Sequence, residues 1–167
     1  MKKYELTSEY ITVFGKKLFR IKALISFVNV KEGELGGYIE SESNLSQYGS
    51  AWVYGSAMVY DSAEVSGSAM VSGLARVYGS ARVYGLAEVS GDADYTTIRG
   101  FGTEFRTTTF FRCKDKLVRV SCGCFYGTID EFREQVKKTR SGKIAEEYLM
   151  IADLMEKHFE VEGEDEE

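Results

Sequence analysis

A single histidine, His158, stands in the whole chain. It follows Lys157 near the end of a helical pattern, where a surface or edge position is expected. Residues 1–157 therefore supply neither an imidazole general base nor the three imidazoles that hold a catalytic zinc. Serines such as Ser50, Ser56, Ser62, Ser68 and Ser80 are plentiful, but with no base beside them they read as turn formers rather than nucleophiles. Cys113, Cys122 and Cys124 are an odd set, a poor disulfide framework that fits a reducing compartment. Cys122 and Cys124, two apart on an expected strand, face one side and read as buried apolar residues rather than a metal or redox site. No GxxxxGK[ST] loop occurs, and RGFGTEF (99–105) lacks the flanks of a dinucleotide fingerprint. The expectation is a non-enzyme with no catalytic residues, no metal and no cofactor.

What remains is recognition chemistry. Tyrosine faces stack on bases and arginine forks grip phosphate, so Tyr60, Tyr78, Tyr84, Arg76 and Arg82 are candidate nucleotide-binding residues. Arg99, Arg106, Thr107, Thr108 and Thr109 are candidate further donors just beyond them. The competing reading makes the same side chains ladders: Tyr60 under Tyr78, Glu64 beside Arg82, Arg76 beside Asp94, each pair contributing about 0.2 to 1 kcal/mol.

The elements that carry these residues repeat by sixes. Ala recurs at 51, 57, 63, 69, 75, 81, 87 and 93. Val follows two residues later from Val53 to Val89, and Gly or Asp two residues after that, from Gly55 through Asp61 to Gly91. In extended chain, residues two apart share a face, so each Ala and Val point inward while the residue between them points out. Gly and Asp tolerate the backbone angles of a corner. A unit this short cannot bury its own apolar face and must stack on its neighbours. The expected architecture is mainly β: a left-handed parallel β-helix of about three coils, 18 residues per coil. Trp52, Tyr54, Met58 and Met70 fall on the outward places, an apolar surface that a homo-oligomer would cover, with a trimer as the first expectation.

The flanks read differently. Period-two alternation in LFRIKALISF (18–27), with Tyr10 to Val13 as partner and Gly15 between them, predicts an N-terminal hairpin. KEGELGGYIE (31–40) reads as a connection. TTTFFRC and LVRVSCGCF predict a second hairpin joined through KDK. Thr128 and Glu131 form a capping box for one helix, and Ser141 opens another in which Ile144, Tyr148, Ile151, Met155 and Phe159 recur at helical spacing. The expected domains are a hairpin cap over 1–38, a hexapeptide-repeat β-solenoid over 39–98, an α+β cap over 99–159 and an acidic, disordered tail over 160–167.

That tail carries six acids and no bases, and the remainder balances 20 acids against 21 bases, so the net charge of −5 belongs to the tail. A near-neutral body argues against a duplex DNA binder. Neither a signal-peptide core nor a run of about 20 apolar residues is present. The expectation is a cytoplasmic protein without a membrane partner.

The spacing of Val53 with Ala57, Val59 with Ala63 and Val65 with Ala69 resembles the hexapeptide-repeat, left-handed parallel β-helix family. That family hosts acyltransferases, carbonic anhydrases and binding proteins alike, so it implies a fold rather than a function. The wider arrangement, from GGYIE through the hexads to TTTFFR, CGCF and IADLMEKHF, resembles a group of hexapeptide-repeat proteins of phages and prophages of gut Firmicutes. Where members of that group read THG, this chain has Thr139, Arg140, Ser141 and Gly142. The resemblance implies an accessory phage product acting in the bacterial cytoplasm. The leading expectation is a binding protein that counteracts host antiviral defence, by sequestering a cyclic nucleotide signal or blocking a host protein. A structural oligomer or virion component, and an acyltransferase, stand as alternatives.

Overall fold

The computed structural model describes residues 1–160; the acidic tail expected over 160–167 lies, from residue 161 on, outside them. The chain opens with β1 (Tyr4–Val13) and β2 (Lys16–Ala23), an antiparallel hairpin turning at Phe14 and Gly15. β3 (Leu35–Ile39) pairs antiparallel with β2, so the segment read as a plain connection is in fact a strand. Gly36 and Gly37 allow this, because a side chain at either would strike the backbone of Val53 or Ala57.

The hexads then supply seven strands of two residues each: β4 (Trp52–Val53), β5 (Met58–Val59), β6 (Glu64–Val65), β7 (Met70–Val71), β8 (Arg76–Val77), β9 (Arg82–Val83) and β10 (Glu88–Val89). They pair in parallel with residues 18 further along, Trp52 with Met70 and Met58 with Arg76 among them. After a short 3-10 turn, Asp92–Asp94, come β11 (Tyr95–Phe101), β12 (Arg106–Arg112), β13 (Val118–Cys122) and β14 (Phe125–Thr128), an antiparallel sheet in chain order. Helices α1 (Ile129–Thr139) and α2 (Gly142–His158) follow. Thr128 Oγ1 accepts from the Glu131 amide while the Glu131 carboxylate accepts from the Thr128 amide, closing the capping box.

The fold class differs from the expected one. The strands lie in four separate sheets of five, three, four and two strands, mixed in direction, and two α-helices accompany them. The class is mixed α and β, not a mainly-β left-handed parallel β-helix or β-solenoid. The reason lies in element length. The hexads dominate the sequence pattern, yet each contributes only a two-residue strand, and these small ladders do not merge. The long strands and the helices belong to the antiparallel flanks.

Two cores result. Inward Ala and Val from Ala51 to Val89 are almost wholly buried and continue into Tyr4, Ile21, Ile39 and Trp52. A second core joins Phe110 and Val120 of the β11–β14 sheet to Phe132, Val136, Tyr148, Ile151 and Met155 of the helices. Full burial of each Val contributes about 1.5 to 3 kcal/mol, which is why a run of small inward residues can hold such short strands.

The outward places are less exposed than the hexads alone suggest. Trp52 is fully buried, edge-on to Tyr4 at 6.2 Å and to Phe27 at 5.4 Å, and Tyr60 packs with Leu18 and Tyr38. The N-terminal segment thus covers part of the apolar surface on which the trimer expectation rests. Among the described residues no helix is long and apolar enough to cross a membrane.

Lys3 seals the same end of the molecule. It is 2% exposed, and its Nζ donates to the Ala51 carbonyl at 2.8 Å. Burial pushes its pKa from the ordinary 10.5 down to about 8. Between those values the unfolded chain holds a proton that the folded chain has released, so Lys3 makes stability rise with pH across that window. The buried Cys113 thiol, raised from 9.0, and the Tyr4 and Tyr95 phenols, raised from 10.0, work in the opposite direction above those values. In Lys3→Met only the Lys3 contribution disappears. Urea denaturation of both proteins from about pH 7 to pH 10 should show the native chain gaining about 2 kcal/mol relative to the variant. Parallel profiles for the two proteins would contradict this.

Candidate functional site

Asp61 occupies the corner place that Gly takes in the neighbouring hexads, with φ at 58°. A short polar side chain tolerates that conformation and brings a carboxylate with it. One carboxylate oxygen accepts from the Gly79 amide at 3.0 Å, in the next turn of the chain, and the other meets Lys16 Nζ at 2.7 Å. The Asp61 amide donates to Glu40, whose second oxygen lies 3.4 Å from the same Lys16. Lys16 therefore holds the Asp61 carboxyl below its usual range, and Asp61 in turn raises the lysine. The β1–β2 turn is tied down over the corner by these contacts.

Beside Asp61 the rings of Tyr60 and Tyr78 stack, 5.4 Å between centroids and 13° between planes. Tyr60 is buried and Tyr78 is 51% exposed, so the pair offers solvent an aromatic surface with a fixed backing. Arg76 is gripped by Asp92, which accepts from its amide at 2.8 Å and from its guanidinium at 3.3 Å. The Tyr95 hydroxyl donates to the Arg76 carbonyl at 2.6 Å. Together with Phe14, Thr96 and Thr97, these groups line an open cleft of about 620 Å³.

The cleft contains a ring platform, two cations and two anions. Lys16 is held by Asp61 and, from beside the cleft, by Glu40, and Arg76 by Asp92, so a highly charged anion gains little there. A flat ring bearing one negative charge per phosphate suits it better, because the Arg76 guanidinium retains donors beyond Asp92 and the Lys16 ammonium retains one beyond Asp61 and Glu40.

The sequence-derived candidates separate into three places. Tyr60, Arg76 and Tyr78 share the cleft. Tyr84 packs against Tyr126 at 4.7 Å and Phe111 at 6.2 Å, with Arg82 above it and bound to Glu64 at 3.7 Å. Arg99 and Thr107 are register partners on β11 and β12, buried Thr108 donates to Cys122 Sγ at 3.2 Å, Thr109 accepts from the Arg82 amide, and Arg106 pairs with Glu104. The expected partner of Arg76 is also corrected. Asp94 instead meets Arg112 at 3.3 Å, because the 3-10 turn advances the chain and puts Asp92 beside Arg76.

Spacing does not mark Phe14, Lys16, Asp92 or Tyr95 as site residues. Asp61 alone carried a signal, as the one acidic residue in the Gly place of the hexads. The cysteines differ from the reading of two on one strand face. Cys122 ends β13, Cys124 lies beyond it in the turn and is exposed, and only Cys113 is buried. His158 is exposed and meets the edge of Phe159 at 5.0 Å. Among the described residues, no group of three or more His, Cys, Asp or Glu is placed to hold a metal ion.

No family model matches the chain, and no curated protein matches it.

Proposed function

We propose that the chain is a non-catalytic binding protein that captures a small cyclic nucleotide in the cleft at Tyr78, acting as a phage accessory product in the host cytoplasm. The observation that carries this reading is the backed, half-exposed Tyr60–Tyr78 stack standing beside Arg76 and Lys16 in one cleft. The balanced charges narrow the ligand class. A cyclic phosphodiester carries one negative charge per phosphate, whereas a nucleoside triphosphate would crowd several charges against Asp61 and Asp92. Sequestration of a host signal follows from tight binding without turnover, and the likeness of GGYIE, TTTFFR, CGCF and IADLMEKHF to phage hexapeptide-repeat proteins points to the same setting.

Thermal unfolding against a panel of nucleoside triphosphates and cyclic mono-, di- and trinucleotides tests it. A ligand at about one hundred times its Kd stabilises the folded state by about 2.7 kcal/mol, a Tm rise of about 5 to 10 °C for a chain of this size. The expected result is such a rise with at least one cyclic nucleotide and none with triphosphates. No rise with any nucleotide at millimolar concentration would remove the reading.

A further inference from the structure

A second cavity, of about 180 Å³, lies between the β11–β14 sheet and the helices. Arg106, Cys122, Phe125, Phe132, Arg140 and Tyr148 line it. A smaller recess, of about 20 Å³, shares Arg106, Cys122, Arg140 and Tyr148 and adds Glu104. Its charge differs from that of the first cleft. Arg140 follows α1 and donates to the Thr139 carbonyl at 3.2 Å, but among the described residues it meets no carboxylate at ion-pair distance. Arg106 pairs with Glu104 at the surface, both side chains well exposed, an interaction that holds it only weakly. Glu147, next to Tyr148 on α2, lines neither cavity. The lining therefore carries two guanidiniums against one loosely held carboxylate.

Arg106, Arg140 and Tyr148 line both cavities together. Burial and the nearby Cys122 raise the Tyr148 phenol, and Arg140 and Arg106 pull it back. Gly102 and Gly123 keep the space open, since a side chain at Gly102 would strike the Tyr148 hydroxyl and one at Gly123 would strike the Arg106 fork. Behind these donors the wall is aromatic, with Phe125 and Phe132 rings 5.6 Å apart.

We propose that this cavity binds the oxyanion of a small phosphomonoester or carboxylate. Arg106, Arg140 and the Tyr148 hydroxyl would donate to the oxygens, and Phe125 and Phe132 would receive an attached apolar group. The site is separate from the Tyr78 cleft and shares no residue with it.

Calorimetric titration with phenyl phosphate, inorganic phosphate and benzoate tests the proposal. Saturable binding of at least one probe is expected, weakened about tenfold or more by Arg140→Gln and by Arg106→Gln, and unchanged by Arg76→Gln in the other cleft. Equal affinity for inorganic and phenyl phosphate would assign the site to free phosphate. Preference for phenyl phosphate or benzoate would assign it to an organic ester or acid. Because Cys122 and the exposed Cys124 both line the cavity, the bound probe should also slow their alkylation by iodoacetamide, a readout independent of any variant. The proposal is overturned by absence of saturation with all three probes at about 10 mM, or by full affinity in both arginine variants.

Discussion

Gly67→Val should destabilise the protein by about 3 to 5 kcal/mol, among the largest effects of any single substitution outside the core. Gly67 holds φ at 68°, a left-handed conformation that a β-branched residue avoids. Its missing Cβ faces the next turn of the chain, and a carbon there would lie 2.8 Å from the Gly85 backbone nitrogen. Backbone cannot swing aside as a side-chain end can, so the corner must open. Opening it disturbs the Ser68 amide bond to the Gly85 carbonyl, 3.0 Å long, and the ladder beyond it. The matched control is Gly79→Asn. Gly79 has nearly the same φ, but a Cβ there meets nothing within 4 Å, and Asp61 shows that a short polar side chain can occupy such a corner. A Tm loss of about 10 °C for Gly67→Val against a few degrees for Gly79→Asn is the expected pattern, read by thermal unfolding. Equal losses would mean that the corners do not abut as described.

Tyr78→Ala should weaken nucleotide binding by about 10- to 100-fold with little loss of stability. Stacking of a base on an aromatic ring contributes about 1 to 3 kcal/mol, and Tyr78 is the half-exposed member of its pair. Tyr78→Phe keeps the ring and should retain most of the affinity. Tyr60→Ala is a poor substitute as a probe, since Tyr60 packs with Leu18 and Tyr38 and its loss opens a core. Calorimetry with the cyclic nucleotide that gives the largest thermal shift separates these cases. Retained affinity in Tyr78→Ala would take the ring platform out of the site.

The local pattern of this chain is easy to read, and its assembly is not. Period-two alternation found the β1–β2 hairpin, and Thr128 with Glu131 found the start of α1, because both signals act within a few residues. The inward Ala and Val were legible for the same reason. Fold class is not legible in the same way, because a repeat weighs heavily in a sequence whereas each of its strands is only two residues long. β3 has no local mark, because Gly36 and Gly37 look like a turn until the backbones of Val53 and Ala57 are placed against them.

The same limit applies to the cleft. Tyr60 and Tyr78 lie 18 residues apart, a separation the repeat makes visible, and their stacking follows from it. Lys16 reaches Asp61 only because the N-terminal hairpin folds over the corner, a tertiary fact with no local mark. Asp92 replaces Asp94 beside Arg76 through a 3-10 turn that hexad counting does not foresee. Tyr84 and Arg82 carry the same chemistry as Tyr78 and Arg76 but lie outside the cleft, Tyr84 packed on Tyr126 and Arg82 beside Glu64.

The most direct measurement is amide chemical-shift mapping of the isotopically labelled 18.8 kDa chain during titration with a cyclic dinucleotide. Saturable shifts at Asp61, Arg76, Tyr78, Gly79 and Thr96 are the predicted result, with the amides of Tyr84 and Arg99 unmoved. Shifts confined to residues away from that cleft, or none at millimolar ligand, would contradict the account.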